Sequence, residues 1–84
     1  MLRYSRHAKR RMALYAISEE DVALVVREGK REELAQTGRM SFTSHLAARS
    51  KYPIKVVGLE RGKDLLIITA YPLKKGRSKY EDYI

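Results

Sequence analysis

The densest apolar sequence in this chain of 84 residues lies in two short runs, "IKVVGL" (54–59) and "LLIITAY" (65–71). Five residues, "ERGKD", separate them and carry Gly62 at their tip, which is the layout of an antiparallel hairpin. The second run is almost continuously apolar, as a central strand covered on one side by helices would be. The rest of the fold has to be assembled around this hairpin.

Upstream, Ser5 is placed to cap a helix running to about Tyr15, in which Ala8, Arg11, Met12 and Tyr15 follow the i, i+3, i+4, i+7 spacing. Its apolar stripe is thin and contains an arginine. A second helix is better signposted. Ser18 and Asp21 form an S-x-x-D capping box, Ile17 can staple onto Val22, and Val25 and Val26 extend the apolar face to Gly29 at the C-cap. The short Ala16-Ile17 connection makes the two helices a compact hairpin or corner. Beyond Gly29 the period shortens: "ELAQTGRMSFTS" (33–44) reads as two weak strands turning at Thr37-Gly38, with Met40 and Phe42 alternating with polar neighbours. "HLAARSKYP" (45–53) reads either as a loop or as a ragged edge strand, and Pro72 stops the last strand. The expected architecture is a single α+β domain over 1–84, with two N-terminal helices packed on a four-stranded antiparallel sheet. Residues 73–84 form a basic C-terminal tail.

Charge narrows the partners. Eighteen lysines and arginines against ten acids give a net charge of +8 and a pI near 10.0. Residues 1–17 carry +5, residues 18–35 carry −3 and residues 36–84 carry +6, so an acidic middle separates two basic flanks. Such a balance suits nucleic acid, an acidic protein or an anionic membrane surface. The membrane ranks last, because neither helix sets a broad apolar face opposite its cations. Without cysteine there is no disulfide, thiolate metal site or thiol nucleophile, and two distant histidines give no zinc pattern. No apolar run resembles a signal peptide or a membrane span, so the expected location is the cytoplasm.

Few side chains could carry chemistry. His7 falls in the first turn of the first helix, among free backbone N–H groups at the positive end of the dipole. Arg11 follows one turn later on the same side. An imidazole beside a guanidinium is a sensible pairing for phosphodiester cleavage: one moves a proton, the other holds charge building on phosphorus. The plain alternative is a basic helix on which His7 is exposed and idle. His45, in the ambiguous stretch, reads as a loop residue without a role. Lys55 is the sole charge within "IKVVGL"; it either snorkels from an apolar surface or binds phosphate. Tyr71 ends the last strand, either closing the edge of the core or reaching a substrate. Arg10, Arg39, Arg49, Lys74, Lys75 and Arg77 are candidate RNA-backbone contacts, the alternative being solubilising surface charge.

Two stretches together carry a family resemblance. "HAKRRM", followed by "ISEEDVALVV" and Gly29, resembles the H-A-x-x-R-M…I-S-x-x-x-V opening of the domain-of-unknown-function 4258 family, and "IKVVGL" with "LLIITAY" resembles its closing hairpin. The likeness covers most of 5–72, with a poor match over 30–53. It implies a fold similar to the RelE and barnase/EndoU/colicin group of small ribonuclease toxins. It also implies RNA (mRNA or ribosome-bound) and a cognate antitoxin protein as partners, with no cofactor. Carried onto this chain, the helix motif falls on His7 and Arg11 and the strand-closing residue on Tyr71, with Lys55 a looser match. The implied activity is a metal-independent endoribonuclease acting through the RNA 2′-hydroxyl. The competing reading is a non-catalytic RNA-binding or protein-binding module on the same scaffold.

Overall fold

The computed structural model describes residues 1–34, 38–45 and 52–73. Its elements are β1 (Leu2–Tyr4), α1 (Arg6–Tyr15), α2 (Glu19–Glu28), β2 (Lys30–Leu34), β3 (Arg39–Ser44), β4 (Ile54–Arg61) and β5 (Asp64–Pro72). The sheet has five strands in the order β1-β5-β4-β3-β2. Four of them form an antiparallel meander, while β1 lies parallel to β5, pairing Leu2 with Leu65, Arg3 with Leu66 and Tyr4 with Ile67. The expectation of a four-stranded antiparallel sheet is therefore corrected to a five-stranded mixed sheet, with the α+β class and both N-terminal helices retained. The missed strand is three residues long, too short for alternation to show in the sequence. Its parallel partner β5 comes last in the chain, after both helices and the three strands β2, β3 and β4.

The helix ends follow from local chemistry. The Ser5 hydroxyl accepts a hydrogen bond from the Ala8 N–H at 3.0 Å and caps α1. At the other end Ile17 N–H donates to the Met12 carbonyl (2.8 Å) and Ala16 N–H to the Ala13 carbonyl (3.3 Å), the paired bonds of a Schellman turn. Ala16 takes the left-handed position there, with φ 55°, although it carries a Cβ. In α2 the Ser18–Asp21 capping box is complete in both directions, and three acids in the first turn with Arg27 in the last complement the dipole. Gly29 follows α2 in extended conformation (φ −78°), so a left-handed cap is not what demands glycine. A Cβ there would sit 2.8 Å from the Thr43 carbonyl oxygen and closer still to that of Val25.

The hairpin is tighter than its sequence suggests. Arg61 pairs with Asp64, leaving Gly62 and Lys63 as a two-residue turn with φ +60° at Gly62, the signature of type II′. Between β4 and β5 the register shifts: Val57 faces Thr69, but Gly58 faces Ile67, so Ile68 is an extra residue in a β-bulge. The bulge reverses which residues face the helices. Ile67 and Ala70, three positions apart, are both fully buried in the core with Ala8, Met12, Ile17, Val22, Val25, Phe42 and Val56. In an unbroken strand they would point to opposite faces. After Ile68, Thr69 and Tyr71 project from the face away from the helices. Val57 and Tyr71 are buried as well, yet stand outside that core cluster, as this face assignment requires.

Candidate functional site

Direct cross-strand partners share a face of a sheet. Tyr71 pairs with Lys55, Lys55 with Thr43, and Thr43 with Lys30. These four side chains form one row across β5, β4, β3 and β2 on the face opposite the helices. Exposure rises along it: Tyr71 is 7% exposed, Lys55 and Thr43 are half-buried, and Lys30 is open to solvent. The neighbouring row is Thr69, Val57, Ser41 and Glu32, and it brings no cation. Within it the Thr69 Oγ1 is buried without a hydrogen-bond partner. Arg39 is on the same face, opposite Leu59, and stands four residues from Thr43, about 13 Å along the strand.

His7 and Arg11 occupy the other layer. Ala8 and Met12 point into the core, so α1 packs on the face that carries Ile67 and Ala70. His7 is exposed in the first turn, and Arg11 is half-buried one turn later. What links this helix to the Tyr71 end of the sheet is Ser5. Its backbone N–H donates to the Ile67 carbonyl (3.0 Å) and its hydroxyl to the Ile68 carbonyl (3.1 Å). The start of α1 is thus tied to the bulge, three residues before Tyr71 and about 10 Å from it along β5. Because β1 pairs with Leu65–Ile67, the edge of β5 beyond the bulge has β4 on one side and, among the described residues, no paired strand on the other.

Of the residues singled out from sequence, the structure pairs Lys55 with Tyr71 across β4 and β5 and places His7 and Arg11 one turn apart on α1, in the other layer. Arg10 is exposed on α1, and His45 is exposed just after β3. Arg49, Lys74, Lys75 and Arg77 lie outside the described residues, as does nearly all of the basic tail. Lys30 and Thr43 were not singled out. Only the register places them beside Lys55, and no local pattern in "GKR" or "SFTS" reports register.

The family described as Domain of unknown function (DUF4258) matches residues 4–72. The chain belongs to that family. The matched span contains the whole row, the α1 pair and the Ser5 anchor, so the site described here lies within the DUF4258 domain. No curated protein matches the chain.

A hollow of about 460 Å³ opens on the helix side, floored by Leu2, Met40, Phe42 and Leu65 beside Val26 of α2, on the opposite layer from the lysine row. Among the described residues, no helix is long and apolar enough to cross a membrane. Burial, with the Glu19 carboxylate a lesser influence, raises the pKa of the Tyr4 phenol above its ordinary value; Tyr4 lies on the helix side, away from the row.

Proposed function

We propose that this DUF4258 chain is a cytoplasmic, metal-independent endoribonuclease, the toxin of a toxin–antitoxin pair. The observation that carries the reading is the direct Lys55–Tyr71 pairing on the face away from the helices, where the bulge at Ile68 has turned Tyr71. An ammonium beside a phenol at the half-buried end of a cationic row is suited to a phosphodiester. The lysine neutralises charge growing on the non-bridging oxygens, and the phenol orients or protonates the leaving oxygen. In the proposed reaction the RNA 2′-oxygen attacks phosphorus and the bond from phosphorus to the 5′-oxygen breaks. A 2′,3′-cyclic phosphate and a free 5′-hydroxyl result. His7 moves the proton, as base for the 2′-hydroxyl or acid for the leaving group, and Arg11 adds charge stabilisation. Both would approach from α1 across the edge of β5.

The test is cleavage of RNA, free and ribosome-bound, in EDTA, together with growth arrest on expression. His7→Ala and Tyr71→Phe should each lower the cleavage rate about 100-fold or more while leaving RNA affinity within a few-fold, whereas Lys55→Ala should lower both the rate and the affinity. Wild-type protein that leaves RNA intact in every context sinks the proposal. A second reading, a non-catalytic RNA-binding module, is favoured by one observation: Tyr71 is only 7% exposed, as a structural tyrosine would be. Under it, binding falls steeply with salt and no cleavage products form.

A further inference from the structure

Lys30 and Thr43 have no part in that reaction, yet they stand in line with the two residues that do. We infer that single-stranded RNA crosses the sheet at right angles to its strands, from Tyr71 on β5 to Lys30 on β2, with Lys30 and Thr43 holding the backbone that flanks the reacting phosphate. The inference rests on the ribonuclease reading for which phosphate reacts, but the track itself comes from register alone.

Adjacent strands are about 4.8 Å apart, so Lys55 and Lys30 stem from positions about 10 Å apart and the whole row spans about 14 Å. At roughly 3.4 Å of rise per stacked nucleotide, the two lysines are about three nucleotides apart and the row accommodates about four. On one side the track is closed by its neighbouring row. The next row along the strands meets β2 at Glu32, which repels a phosphate, and its middle is the uncharged Ser41–Val57–Thr69. The gradient of exposure gives the track a deep end and an open end. Tyr71 is buried, Thr43 and Lys55 are half-buried and Lys30 is in solvent, so the flanking strand leaves the sheet over β2. The Thr43 hydroxyl, between the two ammonium groups, can donate to a phosphate oxygen.

The test uses the full chain and fluorescein-labelled 2′-O-methyl oligoadenylates of two, four and eight nucleotides, which cannot be cleaved through the 2′-oxygen. Affinity is measured by anisotropy between low and moderate salt for the wild type, Lys30→Ala, Thr43→Val, Lys55→Ala and the double lysine variant. Lys63→Ala, at the hairpin tip, is the control cation. Each track lysine should remove about 0.7 from the log–log salt slope, or about fivefold in affinity at 0.1 M salt, and the double variant about twice that slope. Thr43→Val should weaken binding without changing the slope. Affinity should rise from two nucleotides to four, then level off. The track is overturned if Lys30→Ala behaves like Lys63→Ala, if two nucleotides bind as well as four, or if polyglutamate competes as well as RNA at equal charge. A protein that binds along this track but never cuts natural RNA refutes the ribonuclease reading and supports the track. One that cuts RNA with an unchanged KM in Lys30→Ala refutes the track and leaves the ribonuclease standing.

Discussion

Ser5 supports two structures with one hydroxyl, and the two roles can be separated by substitution. Its oxygen accepts from the Ala8 N–H at 3.0 Å, capping α1, and its hydrogen is donated to the Ile68 carbonyl at 3.1 Å, holding the bulge. Ser5→Ala removes both. Loss of an N-cap costs about 1 kcal/mol, and loss of a half-buried hydrogen bond costs about 1 kcal/mol more, giving a deficit of about 2 kcal/mol. In a domain of this size that lowers the melting temperature by roughly 8–16 °C. Ser5→Asp caps as well as serine but cannot donate to Ile68, so it should lose only about half as much. The backbone bond from Ser5 N–H to Ile67 survives in both variants. Urea unfolding followed by circular dichroism, with the slope checked for constancy, gives the differences directly. A Ser5→Asp variant as stable as the parent would show the Ile68 bond to be energetically silent and would refute the anchoring of α1 to the bulge. A Ser5→Ala variant losing less than about 0.5 kcal/mol would refute the cap as well.

Three further outcomes are expected. Ala16→Gly should raise stability by about 0.5–1 kcal/mol in the same unfolding assay, because relief of the left-handed Cβ clash exceeds the added freedom of the unfolded chain. Gly29→Ala should cost about 2 kcal/mol, since the new methyl group meets two backbone carbonyls rather than side chains that could move. For Tyr4, the native phenol holds its proton above the ordinary pKa of 10.0 while the unfolded one releases it. Stability should therefore fall as pH rises from about 10 through the higher native value. The Tyr4→Phe variant should lack that component when the two proteins' urea midpoints are compared across the alkaline range.

Helix ends and the hairpin were legible because their chemistry is local. Ser18 and Asp21 sit three apart, Ser5 precedes a turn of good helix formers, and Gly62 marks a reversal between apolar runs. The hairpin loop was drawn too long because Arg61 and Asp64 look like loop residues, although both pair in the ladder. β1 was invisible for want of length, and although Gly29 is the C-cap its sequence position suggested, the close approach to Thr43 that excludes a side chain there left no mark in the sequence. The harder loss concerns the site. "LLIITAY" is apolar at almost every position, so nothing in it reveals that Ile68 is an extra residue or that Tyr71 leaves the face occupied by Ile67. Which residues stand beside Lys55 depends on register across three strand pairs, a non-local quantity that left Lys30 and Thr43 unnoticed.

The parallel pairing of β1 with β5 also dictates an order of events during synthesis. Ser5 and Ile68 are 63 residues apart, so the N-terminal strand and the first turn of α1 have no seat until β5 has emerged. The antiparallel meander from β2 to β5 involves shorter loops and can zip as the chain lengthens. His7 thus precedes Ile67 in the chain but is docked only after it. A nascent chain halted before Ile67 carries the basic helix but lacks the platform that seats it. Such a chain also lacks Tyr71, so under the proposed ribonuclease reading it cannot assemble the site.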